Sequence, residues 1–283
     1  MATFCPRCGR RLLNTWCSWC AEFAPESVVG RFQIREVLST GRLGSLLRGY
    51  DPALARTVVL RTLGAAELAP DALAHYLAVL RQASGLPHPN CVDVYTVQLG
   101  ADGPLVVMED IRGGGISQSP DGQNRQPSAH LQNLVDVLEG VAFLHGHGLA
   151  HGRITTKTVL LTSSGTAKLT DPGAGQDPQA SASWQMAAPE VLLGDGPSPA
   201  ADVFSAGALL WLGSAGCPPF AAGNRTAAVV ARRRSPRGVA APKVGELARQ
   251  AMQFDPDNRP TARELGAILR SLLPVRDRAG RAS

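Results

Sequence analysis

The chain has 283 residues, 44% of them hydrophobic, enough for one or two domain cores and an argument against disorder. Its formal charge of +5, from 28 Lys+Arg against 23 Asp+Glu, is too small an excess to imply nucleic acid by itself. No stretch approaches the ~20 consecutive apolar residues of a membrane helix, and the N-terminus lacks a basic region followed by an apolar one, so a soluble, cytoplasmic protein that does not contact a membrane is expected. Lysine occurs only at Lys157, Lys168 and Lys243, and the longest basic run, Arg232-Arg233-Arg234 with Arg237 nearby, reads as a solvated loop.

The first element is a pair of knuckles, Cys5-Pro6-Arg7-Cys8 and Cys17-Ser18-Trp19-Cys20. Each turn presents two sulfurs to one ion, and the residues from Gly9 to Trp16 let the second turn face the first. Four thiolates then close a tetrahedral site for one structural Zn²⁺, with no open position for substrate. A pair of disulfides is the alternative, disfavoured where no secretion signal is present. Cys5 to Gly9 resembles the first knuckle of zinc ribbons. Phe4, Trp16, Trp19 and Phe23 are expected to cover the metal site, or else to form an exposed face for a partner. Arg7, Arg10 and Arg11 either touch nucleic acid or solubilise the module. Cys91 and Cys217, which stand alone, read as small buried apolar side chains.

From Phe32 short apolar runs alternate with turn residues. Strands are predicted over Phe32–Leu38, Ser45–Tyr50, Thr57–Leu63, Val92–Leu99 and Leu105–Ile111. A helix is predicted over Asp71–Ser84, with Leu73, Leu77 and Leu80 on one face. After Gly113-Gly114-Gly115 the pattern turns helical, notably over Leu131–His145, Asp202–Leu212 and Leu247–Phe254. The expected class is α+β: a zinc ribbon over 1–27, a small sheet-rich lobe over 30–111, a larger helical lobe over 112–275 and a tail over 276–283.

Several landmarks then occur in a meaningful order. Ser39-Thr40-Gly41-Arg42-Leu43-Gly44 stands where a glycine-rich phosphate loop would, and Val58-Val59-Leu60-Arg61 matches V-A-I-K. His88-Pro89-Asn90 matches an H-P-N turn, Val107-Met108-Glu109 a strand entering a hinge, and His151-Gly152-Arg153 an H-R-D loop. Asp171-Pro172-Gly173 matches D-F-G and Ala188-Pro189-Glu190 matches A-P-E. Asp202-Val203-Phe204-Ser205 and Arg259-Pro260 complete the series. From Gly30 to Leu273 the chain resembles a bacterial Ser/Thr protein kinase domain, which implies a bilobal fold and an ATP/Mg²⁺ site involving Gly41, Gly44, Arg61, Glu109 and Asp171.

The resemblance also implies what the altered positions have lost. The family's proton-accepting aspartate falls on Arg153, an always-charged cation that cannot act as a base, and no carboxylate occurs between Glu139 and Asp171. The catalytic-loop lysine falls on Thr155 and the second Mg²⁺ ligand on Thr158. Arg61 replaces the phosphate-gripping lysine, and Val79 replaces the glutamate that pairs with it. Ser39 replaces the first loop glycine and Val59 the alanine over the adenine, so weak nucleotide binding is expected. Gly152 and Pro172 replace residues of the activation machinery, and Ser181 and Ser183 read as small loop residues rather than phosphorylation sites. Glu190 and Arg259 are expected to form a buried ion pair, and Asp202 to hold the catalytic-loop backbone. The expectation is a pseudokinase that regulates or scaffolds through a protein partner. An atypical active Ser/Thr kinase and a nucleic-acid-associated regulator remain as alternatives, the latter marked by steep salt dependence.

Overall fold

The computed structural model describes residues 16–17, 22–23, 28–41, 44–63, 70–100, 103–116, 127–173, 184–220 and 224–273. These fall into two compact units, one of residues Met1–Leu86 with Asp93–Asp110, the other of Pro87–Val92 with Ile111–Ser283. Cys5, Cys8, Cys20, the side chain of Cys17, Ser181, Ser183 and the tail 276–283 lie outside the described residues.

In the first unit β1 (Trp16–Cys17) pairs antiparallel with β2 (Glu22–Phe23), setting Cys17 opposite Glu22. A second sheet contains the five expected strands and one short addition. Its members are β3 (Val28–Val29), β4 (Phe32–Gly41), β5 (Gly44–Asp51), β6 (Arg56–Thr62), β7 (Val94–Gly100) and β8 (Gly103–Met108), in the antiparallel order β3-β4-β5-β6-β8-β7. Period-two alternation divides the central strands between two faces. Phe32, Leu47, Val58, Leu60, Leu105 and Val107 form one apolar core. Val59 and Arg61 take the other face, opposite Met108 and Val106 on β8, and all four are buried. Helix α1 (Pro70–Ala83) buries Tyr76, Leu77, Val79 and Leu80, whereas Leu73, predicted on that face, is only half-buried. Asp51, buried at the end of β5, accepts from Arg31 at 2.8 Å, and this bond holds its carboxyl below the usual carboxylate range.

The second unit is built on α2 (Pro127–Gly146) and α4 (Pro199–Ala215), joined by the hairpin β9 (Val159–Leu161) and β10 (Ala167–Leu169), and by α3 (Pro189–Leu193). Helices α5 (Arg225–Arg232), α6 (Pro242–Ala251) and α7 (Ala262–Ser271) follow. Every residue of α4 from Ala201 to Trp211 is buried, so this helix is the unit's centre, with α2 and α6 packed on it. It starts at a Ser198 cap that accepts from Ala201 N–H, with Pro199 in the first turn where its missing N–H is harmless. The turn Pro87–Val92 belongs to this unit because its bonds lie there. Asn90 Nδ2 donates to Ala167 O at 3.1 Å, Val92 N–H donates to Leu169 O at 2.8 Å, and His88 stacks on Phe143.

Two readings of the sequence are corrected. The basic run is not uniformly solvated: Arg232 is 4% exposed, stacked on Phe220, with its guanidinium donating to the carbonyls of Trp184, Ala187 and Ala228. Burial pushes its pKa down to about 10. Cys91 is buried as expected, but Cys217 is half-buried, with Sγ 3.6 Å from Arg237 O.

The expected ion pair is present and bidentate. Arg259 Nη1 and Nη2 donate to Glu190 Oε1 and Oε2 at 2.6 and 2.8 Å, and the same guanidinium reaches the carbonyls of Ala200, Gln253 and Phe254. Its side chain is fully buried while the glutamate keeps a little exposure. Replacing Arg259 by Ala strands a carboxylate and three carbonyls, and should lower unfolding free energy by ~3–5 kcal/mol. Arg249→Ala, which breaks an exposed pair, should cost under ~1 kcal/mol. Urea denaturation of the two variants checks the difference.

Candidate functional site

The second unit gathers its candidate positions on the loop between α2 and β9 and on the turn after β10. Asp202, in the buried first turn of α4, points its carboxylate at that loop. It accepts His151 N–H at 2.7 Å and Gly152 N–H at 2.8 Å, and His145 Nε2 lies 3.0 Å away. Two successive amides converge on one carboxylate because Gly152 has φ +79°, a conformation that costs glycine little.

His151 is wholly buried. Its Nδ1 accepts from Arg153 N–H at 3.3 Å, so Nε2 carries the proton and donates to Thr170 O at 3.0 Å. Burial pushes its pKa below that of an ordinary imidazole, against the pull of Asp202, the Thr170 carbonyl and Asp171. His151 O accepts Gly173 N–H at 2.8 Å, which ties the loop to the Asp171 turn. Asp171 is buried with φ +57°, uncommon for a residue other than glycine.

Thr158 closes the loop upon itself. Its hydroxyl donates to Arg153 O at 2.8 Å, with Thr155 O at 3.2 Å, and accepts Thr155 N–H at 2.9 Å. Its carbonyl accepts Thr170 N–H at 2.9 Å. The structure therefore brings Arg153, Thr158 and Asp171 into one hydrogen-bonded assembly.

The other predicted positions lie in the first unit. Arg61 is buried on β6 opposite Leu46 and Val106, and Val79 is buried on α1. Glu109 is committed to its own strand end: its N–H donates to Asp93 O at 2.9 Å, and its carboxylate accepts Asp93 N–H at 3.3 Å. Gly41 pairs with Gly44 across β4 and β5. Gly44 has φ +87°, and a Cβ there would come within 1.8 Å of Thr62 O, so the sheet itself requires glycine at that point.

Residues 32–269 match the family of protein tyrosine and serine/threonine kinases. The chain belongs to this family. It is 27% identical to a probable serine/threonine-protein kinase of Streptomyces coelicolor over 87% of its own length and 37% of that protein's. It is 30% identical to the serine/threonine-protein kinase PknJ of Mycobacterium tuberculosis over 74% of its length and 38% of the relative's. With the CBL-interacting serine/threonine-protein kinase 21 of Arabidopsis thaliana it shares 27% identity, over 68% and 48%. The chain thus spans less than half the length of these relatives. A sheet-rich unit and a helical unit fit the bilobal fold of a kinase domain. Among the described residues no helix is long and apolar enough to cross a membrane.

Sequence reasoning missed two polar anchors of this kinase domain. Asp136, buried in α2, accepts Ala167 N–H at 3.0 Å and fixes the hairpin that leads to Asp171. A carboxylate amid the apolar run of α2 was its available signal. Arg232 had none, since its burial depends on Phe220 and the Trp184–Ala187 backbone, distant in sequence.

The neutral His151 makes stability pH-dependent. The unfolded chain takes up a proton below about pH 6.5 that the folded state resists, so this contribution is present above that pH and lost as pH falls. His88, whose pKa is lowered by burial and by Lys168, acts in the same direction. The urea midpoint should fall from about pH 7.5 to 5.5, and the slope should shrink in His151→Gln and again in His151→Gln with His88→Gln. An unchanged slope in both removes the assignment.

Proposed function

We propose that the chain is a pseudokinase, a regulatory or scaffolding protein that uses its kinase domain to dock a protein partner. The observation that carries this reading is the self-contained loop at Arg153–Thr158. A guanidinium cannot accept the hydroxyl proton of a substrate. The hydroxyl of Thr158, at the family's second metal-ligand position, is spent on Arg153 O and Thr155 N–H. Asp171 is then the one carboxylate between Glu139 and Glu190 among the described residues, a poor fit to a centre that holds two Mg²⁺ ions. In the first unit, the absence of any acidic residue from Ala72 to Asn90 supports weak nucleotide binding, because α1 supplies no glutamate to pair with Arg61.

An atypical active Ser/Thr kinase is the second reading, favoured by the retained Asp171 and by the names of the relatives. Phosphate incorporation into protein from labelled ATP with Mg²⁺ separates the two. Incorporation by the wild-type chain should not exceed that of Asp171→Ala; a wild-type signal that Asp171→Ala abolishes would falsify the pseudokinase reading. The lost base and lost charge stabilisation each account for ~10²-fold or more, so Arg153→Asp alone should not restore transfer.

We further propose that Cys5, Cys8, Cys17 and Cys20 bind one structural Zn²⁺, a reading supported by their spacing. Metal analysis should find one zinc per chain, lost in Cys5→Ser with Cys17→Ser. Melting of the kinase domain should be little changed, because its cores lie beyond residue 30. A zinc content unaffected by the double substitution overturns this assignment.

A further inference from the structure

The positive charge of the chain is concentrated in one stretch. Residues 203–245 contain Arg225, Arg232, Arg233, Arg234, Arg237 and Lys243 and no carboxylate, a net of +6 that exceeds the whole-chain net of +5. Arg232 turns inward, as described above. Arg233, Arg234 and Arg237 are exposed, and none makes an ion pair among the described residues. Arg233 lies over the Phe254 ring at 4.3 Å. The carboxylate of neighbouring Asp255 is taken up in its own turn, by Asp257 N–H and Asn258 Nδ2. A helix C-terminus favours cations in its last turn, which accounts for Arg233 but not for Arg237, four residues on.

The display is firm. Arg237 N–H donates to Pro219 O at 2.8 Å, and Arg237 O accepts the indole N–H of Trp211, in the buried centre of α4, at 2.7 Å. Within the same segment Val230 is half exposed and Val239 is 89% exposed, with no charge to justify leaving them in water.

We propose that the end of α5 and the loop after it, through Arg233, Arg234 and Arg237 beside Val230 and Val239, form a docking surface for an acidic, partly apolar protein segment. Guanidinium groups recognise carboxylates bidentately, and adjoining valines add apolar contact that a phosphate backbone does not use. A nucleic-acid site would set exposed aromatic rings between the arginines for base stacking, and residues 224–242 contain none. This surface names the partner class for the docking role proposed above. It rests on that role and not on the loss of phosphoryl transfer, which the incorporation assay reads separately.

The test uses the full chain and a fluorescein-labelled peptide of alternating glutamate and valine, about twelve residues long, followed by fluorescence anisotropy. Binding should weaken about tenfold in R233E/R234E/R237E and a few-fold in Val230→Ser, and should fall with added salt. Charge reversal of two exposed arginines elsewhere, R81E/R263E, should leave it unchanged. Should the triple variant fail to melt cooperatively, R234E/R237E carries the same expectation, because neither side chain makes a described contact. Absence of peptide binding, or binding indifferent to the arginines, overturns the proposal. So does tighter, arginine-dependent binding of a single-stranded oligonucleotide of equal charge, which would make the surface a nucleic-acid site.

Discussion

The carboxylate of Asp202 is the fixed point on which the loop between α2 and β9 is built. It sits on the first turn of a helix whose following residues are buried in an unbroken run to Trp211, so α4 can neither rotate nor slide without opening the core. Two loop amides are drawn to it, and burying an unpaired carboxylate would be far costlier than ordering those residues around it. From that anchor the geometry propagates by short steps. Gly152 turns, His151 buries its ring and reaches Thr170, and Thr158 draws Arg153 and Thr155 together. The Asp171 turn is held by the same bonds. The bidentate pair of Glu190 and Arg259 does comparable work between α3 and the turn before α7.

The parts of this architecture that were legible in the sequence are those whose signals are local. Short apolar runs bounded by turn residues located five of the six strands of the larger sheet to within a few residues, and the motif spacing located the loop, its Asp202 anchor and the Glu190–Arg259 pair. The missed elements had weaker local signals. The strands Val159–Leu161 and Ala167–Leu169 are three residues each, too short for a period to establish itself. Helix α7 did carry a signal, the Thr261-x-x-Glu264 capping box, in which the Glu264 carboxylate accepts Thr261 N–H at 2.8 Å and is held below the usual carboxylate range. The fate of Arg232 was illegible for a different reason. A run of three arginines looks uniform in one dimension, and only the three-dimensional placement of Phe220 and the Trp184–Ala187 carbonyls separates the structural one from its exposed neighbours.

The same logic separates two meanings of a family motif. Gly44 lies in the segment aligned with a phosphate-binding loop, yet its glycine is demanded by Thr62 O and by a left-handed φ, whether or not a phosphate ever approaches. Its presence is therefore no evidence for nucleotide. Positions that serve chemistry in the family depart from its pattern at Arg153, Val79 and Thr158, although Asp171 keeps it. Those that hold the chain together, at Asp202, Glu190, Arg259 and Gly44, keep it. Under the reading proposed above, this fits a fold kept for contact with another molecule.

Thr158 illustrates how such a fold is maintained. In a phosphoryl-transfer enzyme the side chain at this position serves a metal ion, so part of the loop's order comes from a ligand it must bind and release. A β-branched hydroxyl is too short and too stiff at χ1 to reach far from its backbone, and it finds instead the carbonyl of Arg153 and the amide of Thr155. The loop's order then comes from hydrogen bonds inside the protein. Under the reading proposed here that is the useful property, because a docking surface binds best when the ordering entropy has been paid in folding rather than at the moment of association. The anchored backbone of Arg237, held near the C-terminal end of α4, follows the same principle: long cationic side chains are presented from a main chain already fixed by Pro219 and Trp211.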